Sequence, residues 1–272
     1  MISAKDFFDL EDFKHRAVFP KDQPVWVALD GLHNYLTPFF KNPWPLIGVY
    51  GQVHTPLVIY NGGILKDLEV KPSGSNATIQ AFSDGEVLEG AAIIMPGAFL
   101  FDDRILIGPG SIVEPGALIK GPTIIGERSE VRQGAYIRGD CLVGDDCVVG
   151  HTTEMKASIM LNGAQAGHFA YIGDSILGKN VNLGAGTKLA NLKMIPGGIV
   201  VASGNEWHQT GRRKLGAILG DRTETGCNSV TSPGTLLSPD SIVYPCVVVP
   251  GRHYPTRTTF SPQKDTLTIR SD

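Results

Sequence analysis

Twelve apolar residues recur at intervals of six along one stretch of the chain: Met95, Phe101, Ile107, Val113, Ile119, Ile125, Val131, Ile137, Val143, Val149, Met155 and Leu161. At ~40% apolar usage, chance gives such a run with a probability on the order of 1 in 10⁵. A period of six is neither the two of an ordinary strand nor the 3.6 of a helix. It fits a short strand and a corner, repeated, with one aliphatic side chain per repeat pointing into a narrow prism. Three repeats close a coil of about eighteen residues, and coils stack at the ~4.8 Å spacing of paired strands. Gly follows the apolar residue at Gly108, Gly126, Gly144 and Gly150, where a tight bend needs little side-chain bulk.

The frame is expected to slip at Gly163-Ala164-Gln165, to recover through Ile172, Leu177, Leu183 and Leu189, and to break at Asn191. A second run follows: Leu219, Thr225, Thr231, Leu237, Val243 and Val249. This places an all-β parallel β-helix over 93–251, with a loop extruded at 192–215. Such a loop from a regular coil is more often functional than accidental. Residues 1–50 read as a small helical cap over the open end of the coils, with Phe7, Phe8, Leu10 and Phe13 on one helix and 25–36 on another. Residues 51–92 read as irregular strands, and 252–272 as an extended tail packing on a neighbouring subunit. The 33 Gly and 18 Pro suit many corners, and 8% aromatics leave a core of Val, Ile, Leu and Ala.

A net charge of −3 argues against a nucleic-acid partner. No apolar run approaches the ~20 residues that span a bilayer. The acidic, amphipathic N-terminus lacks the basic start of a secretory signal, so a cytoplasmic location is expected. Cys141, Cys147, Cys227 and Cys246 form no CxxC pair and read as buried, reduced thiols.

The coil period turns sequence spacing into proximity. Arg138 and Lys156 lie eighteen residues apart and should stack on one face of adjacent coils. Two cations about 5 Å apart repel unless something negative lies between them. They either clamp a phosphate or pair with neighbouring carboxylates, for which Glu154 and Asp174 are the candidates. His168 lies near the expected slip, among small residues and close to Glu154, Tyr171, Asn182 and Asn191. It is either an ordinary surface imidazole or a general base. Gly184-Ala185-Gly186 offers backbone N–H groups that could stabilise an oxyanion or make a tight corner.

Three stretches carry a resemblance: Val149-Gly150-His151-Thr152-Thr153-Glu154-Met155-Lys156, then Gln165-Ala166-Gly167-His168-Phe169-Ala170-Tyr171-Ile172-Gly173-Asp174, then Asn180-Val181-Asn182-Leu183-Gly184-Ala185-Gly186-Thr187. They resemble the acetyltransferase domain of the bifunctional N-acetylglucosamine-1-phosphate uridyltransferase/glucosamine-1-phosphate acetyltransferases, over roughly 91–251. The resemblance implies a left-handed β-helix, acetyl-CoA as acyl donor and a hexosamine-1-phosphate acceptor (glucosamine or galactosamine) in nucleotide-sugar biosynthesis. It also implies a homotrimer with sites between subunits. It makes His168 the base for the sugar amine, Glu154 its polar neighbour and the Ala185 N–H the oxyanion donor. Arg138 and Lys156 would hold the phosphate, with Tyr171, Asn182 and Asn191 contacting sugar or phosphate.

Two departures stand out. Leu192 replaces the family's usual aromatic after Asn191, and a longer loop follows. Residues 210–221 resemble archaeal and bacterial sugar-1-phosphate acetyltransferases, and the family's phosphate-site Lys falls near Arg213 or Lys214, within the cluster Arg212-Arg213-Lys214. Of these, the resemblance implies Lys214 as the phosphate contact. No Gly-rich, Arg-containing phosphate loop occurs in residues 1–50, so no uridyltransferase activity is expected. The rival readings are a zinc enzyme of the γ-carbonic-anhydrase type, built on His151, His168 and a distant His208, and a non-catalytic binding or assembly protein. No metal site is expected on the leading reading.

Overall fold

The structure, a computed structural model, describes residues 1–41, 43–73 and 78–262. Within them the chain winds into a left-handed parallel β-helix walled by three sheets of eleven, nine and eight strands. Sheet 1 includes Val148–His151, Gln165–His168 and Asn182–Leu183. Sheet 2 includes Tyr136–Arg138, Glu154–Lys156 and Tyr171–Gly173. Sheet 3 includes Cys141–Val143, Ser158–Met160 and Ile176–Leu177. Paired residues are eighteen apart in the early coils, as Ile119 with Ile137 and Val131 with Val149. The step then falls to seventeen, as Met155 with Ile172. Across the extruded loop it is 42, as Ile176 with Ile218, which leaves 24 residues outside an eighteen-residue coil.

Most of the expected inward column is fully buried, from Val113 through Met155. Its ends differ. Ile94, Leu100 and Met160 point inward in place of Met95, Phe101 and Leu161. Phe101 is exposed, and the Lys120 ammonium sits 4.4 Å from its ring centroid. The slip therefore begins earlier than expected, at the corner Lys156-Ala157-Ser158. One residue with positive φ, Ala157, makes the turn there, where Gly139 and Asp140 make it one coil before. Losing a residue at that corner shifts every later inward position by one.

The N-terminal segment does not cover the end of the coils. Phe7, Phe8, Phe13, Val18, Phe19, Trp26, Leu29, Leu32 and Leu36 pack along the outer side of sheet 3, against Ile124, Leu142, Ile159, Ile176, Ile218 and Leu236. Five of those six are the middle residues of three-residue strands whose flanking residues point inward, and Ile176 opens a two-residue strand in the same column, so this apolar column must be covered from outside. Only Val27–Leu36 (α1) is α-helical; Ala4–Asp6 and Arg16–Val18 are single 3₁₀ turns, so residues 7–13 form no helix. Polar contacts fasten the segment. The Asp9 N–H donates to Asp221 (2.7 Å), and the Lys179 ammonium to Asp12 (2.7 Å).

The open end is closed instead by Gly51–Gln52 and Leu57–Tyr60, which pair antiparallel with Phe99–Leu100 and Ala92–Ile94. Leu46, Val53, Leu57 and Ile59 plug the bore. Antiparallel pairing ends a parallel stack and blunts its edge. At the other end the coils run past Gly251: His253–Tyr254 and Thr259–Phe260 continue sheets 3 and 1, and the Tyr254 and Phe260 rings meet edge to face at 4.8 Å. The expected extended tail is thus coil up to Phe260; the part after residue 262 lies outside the described residues. Cys141 and Cys147 are buried, and burial pushes both thiols up to about 12. Cys227 and Cys246, expected to be buried, are exposed.

Candidate active site

Successive turns between sheets 1 and 2 stack into one corner. His151 lies beside His168 in register, and the Phe169 N–H donates to the His151 carbonyl (2.9 Å). The next coil adds Ala185-Gly186, whose Gly186 N–H donates to the His168 carbonyl (3.0 Å). His168 is exposed on this corner. The Ala185 N–H donates to no acceptor among the described residues, so the corner carries an imidazole and, one coil on, a free amide donor. Phe169 makes the turn at φ 53°, a region costly for a bulky side chain. Its exposed ring lies 5.2 Å from that of His151 and 6.3 Å from that of His168. His151 donates through Nδ1 to the Gln133 carbonyl (2.9 Å), which fixes its tautomer when neutral.

Sheet 2 starts from this corner, and its outward residues alternate with the core. Tyr136, Glu154, Tyr171 and Lys188 form one column; Lys120 pairs with Arg138, and Lys156 with Gly173, in the next. Arg138 and Lys156 directly follow the paired residues Ile137 and Met155 on adjacent strands of sheet 2, and carboxylates hold both cations. The Arg138 guanidinium donates to Glu154 (2.7 Å), which raises the Arg138 pKa further. The Lys156 ammonium donates to Asp174 (3.0 Å).

Asp174 is the buried hub of the site. Its Oδ2 accepts from both Lys156 Nζ and Asn191 Nδ2 (2.6 Å), and its Oδ1 lies 3.5 Å from an Arg212 nitrogen. It can serve all three because it turns the corner at positive φ, where the shortened coil brings the loop base back to sheet 2. Gly173 beside it leaves room for two polar side-chain ends: a Cβ there would lie 2.6 Å from the Tyr171 hydroxyl and 2.7 Å from Asn191 Nδ2. Tyr171 and Asn191 therefore converge over Gly173.

Of the basic cluster in the loop, Arg212 reaches the site. Lys214 is exposed, and its carbonyl accepts from Arg212 Nε (2.9 Å). Spacing marked Asp174, eighteen residues after Lys156, only as a counter-ion, and nothing in the sequence singled out Arg212 from Arg213. Asn182 stands apart: it lies on the outer face of sheet 1 beside Gln165 and Glu224, around the corner from the cations. Leu192 is partly exposed and pairs with Lys214. His208 is on a hairpin, Val200–Ser203 with Glu206–Gln209, where its ring lies 6.5 Å from that of Trp26; it does not join His151 and His168.

Residues 119–254, half of the chain, match the family model described as the GMPPB C-terminal domain. The chain belongs to this family. The family match covers the corner at His168, the sheet 2 strands that carry Arg138, Lys156 and Tyr171, and the loop, and leaves residues 1–118 and 255–272 outside it. Among similar proteins is the bifunctional sugar-1-phosphate nucleotidylyltransferase/acetyltransferase of Sulfurisphaera tokodaii, 37% identical over 101 residues, which are 37% of this chain and 25% of that protein. The bifunctional protein GlmU of Methanocaldococcus jannaschii is 37% identical over 90 residues, covering 33% and 22% of the two chains. The chain thus spans about a quarter of the length of the curated relatives it matches. The solved UDP-N-acetylglucosamine acyltransferase of Francisella novicida aligns with a TM-score of 0.46 at 13% identity, covering 57% of this chain and 56% of that one.

Proposed function

We propose that the chain is an acetyl-CoA-dependent N-acetyltransferase acting on a hexosamine-1-phosphate, glucosamine or galactosamine, in nucleotide-sugar biosynthesis. The observation that supports it best is one juxtaposition. An exposed imidazole at His168 sits one coil from the free N–H of Ala185, beside a face carrying Arg138, Lys156 and Arg212. The name of the Sulfurisphaera tokodaii relative joins sugar-1-phosphate chemistry to acetyl transfer.

In this reading Arg138 and Lys156 exchange their carboxylate partners for the sugar phosphate, a charge-assisted contact of the kind Arg favours. Tyr171 and Asn191 orient the sugar over Gly173. His168 takes a proton from the attacking ammonium-derived amine as the C–N bond forms at the thioester carbonyl. The Ala185 N–H donates to the oxygen that becomes negative. The C–S bond then breaks, and the proton on His168 goes to the CoA thiolate. Until the phosphate arrives, Glu154 holds the Arg138 guanidinium along the face. Lys214 would meet the phosphate from the loop. Asn182, remote within one chain, is supplied by a neighbouring copy in a homotrimer, with CoA lying along the groove between copies.

The test is thiol release from acetyl-CoA with glucosamine-1-phosphate, galactosamine-1-phosphate and free glucosamine. Arg138→Ala should raise KM for the phosphorylated acceptor about tenfold and leave that for free glucosamine unchanged. Equal effects on both acceptors would remove the phosphate clamp. No turnover with any acceptor would favour a binding or assembly role.

A further inference from the structure

The N-terminal segment lies outside the family match, yet one of its side chains reaches the acceptor face. Asp30, on α1, is paired with an Arg212 guanidinium nitrogen. That guanidinium is only 13% exposed and is divided three ways, between Asp30, the Lys214 carbonyl at 2.9 Å and Asp174 at 3.5 Å. Asp174, 7% exposed at its side chain, has two carboxylate oxygens to share among Arg212, Lys156 and Asn191. Three donors compete for one buried carboxylate, and a second carboxylate from α1 draws off the strongest of them. A neighbouring contact repeats the pattern: His33, one turn further along α1, lies 2.6 Å from Asp140 at the corner two coils earlier.

We propose that Asp30 is a positioning residue of the acceptor site. By holding Arg212 away from full engagement with Asp174, it leaves Asp174 Oδ2 to fix Lys156 and Asn191. Among the described residues, Asp174 is the other carboxylate within ion-pair distance of the Arg212 guanidinium. Released from Asp30, the guanidinium would close on Asp174 as a two-pronged pair, which is the preferred geometry of Arg with a carboxylate. Lys156 would then lose its partner and Asn191 its orientation. The N-terminal segment thereby sets the geometry of a site to which it contributes no substrate contact. This rests on the reading that Lys156 and Asn191 hold the acceptor.

Arg212 keeps Asp174 and the Lys214 carbonyl as partners when Asp30 is neutralised, so no buried charge is left unpaired and Asp30→Asn should fold normally. In Asp30→Asn the KM for glucosamine-1-phosphate should rise about fivefold, with kcat within about twofold of the parent and the KM for acetyl-CoA unchanged. Asp30→Glu should restore most of the affinity. A second measurement does not depend on turnover: labelling of Lys156 by an amine-reactive acetylating reagent, mapped by peptide mass spectrometry against Lys71 as internal reference. Lys156 should react at least about threefold faster in Asp30→Asn, because its ammonium is no longer held by Asp174. Unchanged Lys156 labelling overturns the proposal whatever the enzyme acts on. Faster labelling without turnover in the parent protein would uphold it and refute the acetyltransferase reading instead.

Discussion

Sheets 2 and 3 are built from the same repeat and share one bore, yet their outer surfaces have opposite fates. On sheet 2 each three-residue strand points its middle residue inward and two residues outward: Tyr136 and Arg138 about Ile137, Glu154 and Lys156 about Met155. On sheet 3 the arrangement is reversed, with Leu142 and Ile159 outward between inward-facing neighbours. Two polar outward residues per coil make a chemical surface. One apolar outward residue per coil makes a seam, and residues 1–40 with the loop residues Ile199, Val201 and Leu215 fill it. The identity of the outward residue, not the six-residue period, decides which face is packed over and which is left polar and open.

The sharpest way to break this contrast is to put a charge into the seam. Leu142→Asp buries an unpaired carboxylate and should prevent folding of the N-terminal segment onto the coils, read as loss of protection in limited proteolysis. The milder Leu142→Ala should cost about 2–5 kcal/mol in denaturant unfolding, because a fully buried leucine leaves a cavity. On the other face, Glu154→Gln should change stability by less than about 1 kcal/mol while altering acceptor KM, since its pair with Arg138 is substantially exposed. If Glu154→Gln unfolded the chain and Leu142→Ala did not, the assignment of the two faces would be inverted.

Acid offers a smaller, graded test. Burial depresses the pKa of His15, packed against Tyr35, and of His253, held between the Ser203 and Ser238 hydroxyls and against Phe7. A depressed histidine favours the folded state above its unfolded pKa near 6.5, and that advantage is lost as pH falls towards the folded value. Proteolysis between residues 1 and 40 should therefore quicken as pH falls below about 6.5. His15→Phe should flatten part of that dependence. A profile flat between pH 7.5 and 5.5 would mean that the histidines do not tie the segment down.

The coil stack was legible because one inward residue per repeat obeys a strict period, and the placement of Arg138 and Lys156 on adjacent strands followed from the same arithmetic. The corner at Ala157 was not, since a one-residue shortening leaves apolar residues at both candidate positions, Met160 and Leu161. The N-terminal segment was misplaced for a related reason. Its phenylalanines announce that they need a partner surface, but only the outward apolar column of sheet 3, interleaved with core residues, says which. At the site, His168 and the paired cations were accessible from spacing and resemblance. Asp174 as hub, and Arg212 in place of its neighbours, depend on where a 24-residue excursion returns, which no local pattern encodes.

In the proposed function, the corner at His168 and the sheet 2 face act together as one acetyl-transfer site. This is tested most directly by thiol release from acetyl-CoA with glucosamine-1-phosphate and galactosamine-1-phosphate, comparing the parent chain with His168→Ala. Loss of a general base should lower kcat by about 10²–10⁴-fold and leave acceptor KM nearly unchanged, because the cations that bind the phosphate are untouched. Full activity in His168→Ala, or no turnover in the parent with either sugar phosphate, would contradict it.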